Sequence, residues 1–120
     1  MSLLNGSYLP FLERYLDLAS LRETLVSANL ANLDTPGYKT VDVAFQSELQ
    51  WASFASYEQP TRPLVRRVQG LIARPDGNNV SLDREGLLLS QTQLQYKTAI
   101  EFLRAEFHRM LGAINDGKES

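Results

Sequence analysis

The 120-residue chain has no cysteine. This excludes a disulfide framework, a thiolate zinc site and a cysteine nucleophile, and it leaves the redox compartment open. Histidine occurs once, as His108, on a polar helical face beside Glu101 and Arg104. No Gly-x-Ser-x-Gly elbow accompanies it, so a solvated surface histidine is expected in place of a hydrolytic triad. Phosphate-loop and dinucleotide fingerprints are missing. No stretch approaches the roughly 18 uninterrupted apolar residues of a membrane span. The first positive side chain is Arg14, beside Glu13, so no cleavable secretory signal is expected. Neither charge dominates: 12 Lys and Arg face 14 Asp and Glu. That balance recruits neither nucleic acid nor an anionic membrane across the whole surface. No cofactor or metal is expected.

Glycine and proline are scarce where the apolar pattern is regular. Residues 8–33 contain no glycine and, after Pro10, no proline, whereas four of the five prolines fall in residues 34–80. Residues 81–115 regain a helical period. The predicted layout is an N-terminal helix (1–33), an irregular middle with short β structure (34–80) and a C-terminal helix (81–120). The fold class is mainly α, with the two long helices forming an antiparallel hairpin or coiled coil.

At 100° per residue the first helix carries Tyr8, Leu9, Leu12, Tyr15, Leu16, Ala19, Val26, Leu30 and Leu33 on one stripe. Phe11, Leu18, Leu21, Leu25 and Ala28 form a second stripe, and Glu13, Asp17, Ser20, Thr24 and Ser27 fill the polar strip. The last helix starts at the N-cap Ser81, with Asp83 and Glu85 in its first turn. Leu82, Leu89, Tyr96, Ile100, Leu103, Phe107, Met110, Leu111 and Ile114 share one stripe. From Tyr96 to Ile114 the spacing alternates 4, 3, 4, 3, 4, which is a coiled-coil seam. Leu88, Ala99 and Phe102 widen the stripe on one side, Leu87 and Leu94 lie on another face, and Gly117 is the expected stop.

Two paired helices bury one stripe apiece, and each of these carries more. A large apolar side chain left in water forgoes about 1.5–3 kcal/mol. Burial against other chains resolves the excess. The assembly residues so predicted are Leu9, Leu12, Leu16, Val26, Leu30 and Leu33 on the first helix. On the last they are Leu89, Tyr96, Ile100, Leu103, Phe107, Met110 and Ile114. A monomeric hairpin with the middle folded over it is the alternative.

Between the first helix and the middle stands Asn29-Leu30-Ala31-Asn32-Leu33-Asp34-Thr35-Pro36-Gly37-Tyr38. Pro36 forces Thr35 out of helical space, and Pro-Gly predicts a type II turn with Gly37 at positive φ. Asn32 and Asp34 can end the helix through local backbone bonds. By physics alone this is a helix stop and a tight turn. The motif Asn29, Asn32, Thr35, Pro36, Gly37, Tyr38 nevertheless resembles the signature of the flagellar rod, hook and hook-associated axial proteins. Its continuation Lys39-x-x-Asp42-x-x-Phe45 resembles the short proximal rod subunits in particular. So do Asp76-Gly77-Asn78-Asn79-Val80-Ser81-Leu82-Asp83-Arg84-Glu85 and Gln93-Leu94-Gln95-Tyr96. Leu30, Leu33, Gly86 and Leu87 depart from the usual pattern, Leu33 adding volume at a packed junction.

The resemblance implies a structural, non-enzymatic subunit of the bacterial flagellar basal body rod. Such a subunit polymerises through its terminal helices to transmit torque, and its end segments order on assembly. It implies periplasmic placement, and export through the flagellar type III apparatus without signal cleavage. The implied partners are copies of itself, other proximal rod subunits and the ring-to-rod adaptor, with no nucleic acid and no membrane insertion. From another class stand a cytoplasmic helical-hairpin adaptor or secretion chaperone, and a small hydrolase.

Two further clusters are weighed. Asp76, Asn78, Asp83 and Glu85 lack EF-hand spacing, because Gly77 follows Asp76 directly. A turn into a capped helix is expected there, and Asp76-Gly77 suggests a hairpin turn with a short strand near 64–74. Arg62, Arg66, Arg67 and Arg74 form a basic run without aromatic interleaving, which reads as a subunit contact or a solvated patch.

Overall fold

A computed structural model describes residues 8–54 and 62–119. Residues 1–7 of the N-terminal zone, and the side chain of Tyr8 in its stripe, lie outside what is described. The elements run α1 (Tyr8–Ala31), β1 (Val41–Val43), α2 (Phe45–Phe54), β2 (Val65–Arg67) and α3 (Leu82–Glu119). Among the described residues no helix is long and apolar enough to cross a membrane.

The end of α1 meets the start of α3, where Asn29 Nδ2 donates to Glu85 Oε1 at 2.6 Å. From there the two helices pack along each other, which gives the expected antiparallel hairpin. At about 1.5 Å per residue, α1 is roughly 36 Å long and α3 roughly 57 Å, so α3 outruns its partner. The result is a rod-like molecule of 71 × 27 × 17 Å.

The line on which the hairpin closes is not the apolar seam of α3. Its buried residues Glu85, Thr92, Ala99 and Glu106 are spaced by seven, and so are Leu12, Ala19 and Val26 of α1. Spacing by seven keeps a residue on one side of a helix for two turns. α3 thus offers its partner a small and polar line. Thr92 Oγ1 and Gln95 Oε1 find no hydrogen bond among the described residues. Each such buried orphan costs about 1–3 kcal/mol.

The second stripe of α1 is covered by the middle segment. Leu18, joined by Ala19 and Tyr15 from the edge of the first stripe, packs with Val43 and Phe45, and Leu21, Leu25 and Leu49 close around them. Tyr15 meets Phe45 edge-on at 5.4 Å between ring centroids, an arrangement that aromatic quadrupoles favour. Arg14 ties α1 to α2 through Glu48 at 3.1 Å.

Three features differ from expectation. The middle contains a ten-residue helix, α2. Its Phe45 and Leu49 sit one turn apart and seat on α1, but the run is too short for periodicity to reveal. Gly117 does not stop α3, which continues to Glu119; a helical glycine costs about 1 kcal/mol and does not forbid the turn. A strand does form within 64–74, but it pairs with β1, not across Asp76-Gly77. The pair is antiparallel, with Val41 opposite Arg67 and Val43 opposite Val65. Arg74-Pro75-Asp76-Gly77 instead makes a closed turn, with Gly77 N bonded to Arg74 O at 2.8 Å and Gly77 at φ 87°.

Candidate assembly site

The junction is built from the motif residues upward. α1 ends where Asn32 Nδ2 returns to Ala28 O at 2.8 Å, and Thr35 Oγ1 donates to Asn32 Oδ1 at 2.9 Å. Thr35-Pro36-Gly37-Tyr38 is the expected turn: Tyr38 N bonds Thr35 O at 3.2 Å and Gly37 sits at φ 73°. Gly37 N then bonds Asp76 O at 2.8 Å, which joins this turn to the one before α3. The two turns meet glycine to glycine. A Cβ on Gly77 would lie 3.3 Å from Gly37 Cα, and its left-handed backbone already disfavours any side chain.

Asn29 is the centre of the site, wholly buried. Its Nδ2 donates to Val41 O at 2.9 Å and to Glu85 Oε1, and its Oδ1 accepts from Tyr38 Oη at 2.9 Å and Val41 N at 3.2 Å. The side-chain amide stands in for a strand partner along the outer edge of β1. Every hydrogen-bonding position of the amide is used.

Asn78, also wholly buried, clasps α1 from the other side. Its Nδ2 donates to Asn32 O and Thr35 O, both at 2.8 Å, and its Oδ1 accepts Val80 N at 2.8 Å. Asn79 Oδ1 accepts Thr40 N at 2.7 Å. Ser81 caps α3, its Oγ accepting Arg84 N at 3.1 Å. Arg74 donates to Leu33 O, and Lys39 to Gly77 O.

A charge network braces the same corner. Asp42 accepts both Arg22 Nε and Nη2 at 3.1 Å and Arg84 Nη2 at 2.9 Å. Arg84 Nη1 reaches Glu85 Oε2 at 2.6 Å. Two guanidinium groups thus neutralise two buried carboxylates, with geometry that repays part of their desolvation. Arg22 also lies over the Phe45 ring, 5.1 Å from its centroid.

Burial, and then the Glu85 carboxylate, raises the pKa of Tyr38 above its ordinary 10.0. The neutral phenol is therefore favoured in the folded chain. Its contribution to stability is complete below pH 10 and declines as pH rises through the folded value. Tyr38→Phe loses the Asn29 bond, about 1 kcal/mol. Urea midpoints measured from pH 8 to 11.5 should show the variant weaker at pH 8 but falling less steeply above 10.

The motif residues Asn29, Asn32, Thr35, Pro36, Gly37 and Tyr38 thus converge on one junction that sets the angle between the terminal helices. Arg22, Asp42, Asn78, Asn79, Arg84 and Glu85 belong to it too. All but Arg22 lay inside the motif segments of the sequence, and Arg22 carried no local signal. Asn78 and Glu85, weighed as calcium ligands, direct their oxygens to Val80 N, Asn29 and Arg84.

The predicted assembly residues divide. Leu12 and Val26 are buried in the hairpin itself. Leu9, Leu16, Leu30, Leu33, Leu89, Ile100, Leu103 and Met110 are half-buried. Tyr96, Phe107 and Ile114 are exposed, joined on their stripe by Leu82 and Leu111. Phe107 is 53% exposed and Leu111 57%, so α3 carries a nearly continuous apolar band beside its hairpin line. Leu87 and Leu94 are exposed on another face. His108 is exposed, as expected.

Comparison with known proteins matches residues 24–39, the end of α1 and the turn, to the model of the flagella basal body rod protein family. Over nearly the whole chain it is similar to three flagellar basal body rod proteins FlgB. The Bacillus subtilis protein is 30% identical, the match covering 98% of this chain and 100% of that one. The Buchnera aphidicola protein is 30% identical over 84% of this chain and 89% of its own, and the Escherichia coli protein 28% over 91% and 94%. With the helix–turn–helix junction and its motif in place, this degree of similarity over such coverage means that the chain belongs to the flagellar basal body rod protein FlgB family.

Proposed function

We infer that the chain is a structural subunit of the bacterial flagellar basal body rod, and that it polymerises through α1 and α3 to carry torque. The observation that carries this reading is the exposed apolar band of α3, from Tyr96 to Ile114, on a helix whose line toward α1 is instead small and polar. A shaft needs broad interlocked apolar contact between subunits. It also needs a fixed angle between its helices within each subunit, which the Asn29–Asn78 junction provides. Family membership supports the basal body as its location.

The finer placement is the proximal rod within the periplasm, reached through the flagellar type III apparatus without signal cleavage. Its partners are copies of itself, other proximal rod subunits and the ring-to-rod adaptor. The reading assigns the chain no catalysis. Neither the fold nor the relatives support a cytoplasmic adaptor or secretion chaperone.

The test is complementation. In a flagellated host lacking its own FlgB subunit, the chain should restore motility and co-purify with basal bodies. Restored basal bodies without the chain, or the chain confined to the cytoplasm, would contradict the reading.

A further inference from the structure

We propose that the arginine-bearing strand β2 of one copy docks on the acidic outer strip of α1 in a neighbouring copy. This rests on the rod-subunit reading and adds a contact to it on a different helix from the apolar band.

Arg62, Arg66 and Arg67 are exposed and their side chains make no ion pair or hydrogen bond among the described residues, unlike that of Arg74, which the junction uses. All three residues of β2 are exposed. The strand pairs with β1 on one side only. Bonds from Val68 N to Thr40 O and from Ala44 N to Leu64 O, both 3.0 Å, fix which groups face β1. In an antiparallel ladder that alternation turns the amides and carbonyls of Val65 and Arg67 outward. β2 is thus a short, basic, open edge.

The complementary surface is on α1. Glu13 and Asp17, one turn apart, head an exposed strip continued by Ser20, Thr24 and Ser27. Neither acid has an ion-pair partner among the described residues. The strip contains no cation.

Charge chooses the occupant. Pairing two β2 edges with each other is disfavoured, because it would bring four arginines together. A basic patch and an acidic patch on different parts of one chain instead favour a head-to-tail contact. When each copy gives its basic edge to one neighbour and its acidic strip to another, the contact is heterologous and generates a ring or a filament. Screening makes it salt-sensitive, with a Debye length of about 8 Å at physiological ionic strength.

The test is charge reversal and rescue, read as the amount of chain in purified basal bodies. R66E/R67E should reduce incorporation about tenfold, and so should E13R/D17R. A chain carrying all four changes should return to within about twofold of wild type. Circular dichroism should show both reversed variants folded. Should R66E/R67E unfold, R66Q/R67Q is read in its place, with a loss of about threefold. Normal incorporation of the reversed or neutral arginine variant overturns the proposal, as does a loss that E13R/D17R fails to rescue. Absence of the wild-type chain from basal bodies would sink the rod reading instead, so the two failures are distinct.

Discussion

Phe107→Glu should abolish incorporation into the rod while leaving the isolated chain folded. Phe107 is 53% exposed, so a carboxylate there meets water in the free subunit, and surface changes of this kind move stability by about 0.5 kcal/mol or less. On the proposed reading, assembly buries the same position in the band between Leu103 and Leu111. A carboxylate buried without a partner costs several kcal/mol, and each 1.4 kcal/mol is about tenfold in affinity. Every subunit brings the defect to every contact it makes through this band, so the loss compounds along the shaft. Circular dichroism and urea midpoints of the purified variant should match wild type, whereas basal bodies should contain none of it. Phe107→Leu keeps an apolar side chain and should still assemble.

Asn29→Leu should have the largest effect on the fold of any single change in the junction, about 3–5 kcal/mol of lost stability. Leucine fills similar space but returns none of the bonds to Val41 N and O, Tyr38 Oη and Glu85 Oε1. The wholly buried Glu85 carboxylate keeps Arg84 but loses its second partner. A buried polar group left without its partner costs about 1–3 kcal/mol, more for a charged one, and the Glu85 oxygen, the Tyr38 hydroxyl and the Val41 backbone all lose theirs. Thr35→Ala, from the same motif, is the contrast. Thr35 is exposed and its hydroxyl makes one bond, to Asn32, so its loss should cost less than about 1 kcal/mol. Equilibrium urea unfolding of both variants measures the difference. Near-equal effects would show that the motif acts as a turn alone, without Asn29 at its centre.

The two long helices, the Pro-Gly turn and the Ser81 cap were legible because each rests on local chemistry. Periodicity, the fixed φ of Pro36, positive φ at Gly37 and a hydroxyl at an N-terminus need no distant partner. Asn78 was not legible in this way. Its role depends on the carbonyls of Asn32 and Thr35, more than forty residues earlier, and no spacing rule reaches that far.

The hairpin line was misleading for a different reason. Sorting α3 by hydropathy marks Tyr96, Phe107 and Ile114 as the face to bury, with Ala99 at its edge, yet the chain buries Thr92 and Glu106 beside Ala99, one step around the helix. The small residues permit close approach, and the corner that fixes Glu85 against Asn29 sets the rotation of everything beyond it. The second stripe of α1 was visible, but not what would cover it, because α2 is too short to announce itself.

The central claim is that apolar surface on α3, bare in the single chain, is covered in the rod. Because the chain lacks cysteine, Leu111→Cys supplies a single reporter thiol on that band. Its labelling by a small maleimide should be fast in the isolated subunit and at least tenfold slower in purified basal bodies. Equal rates in the two states would mean that the band stays in water after assembly, and the account would be wrong.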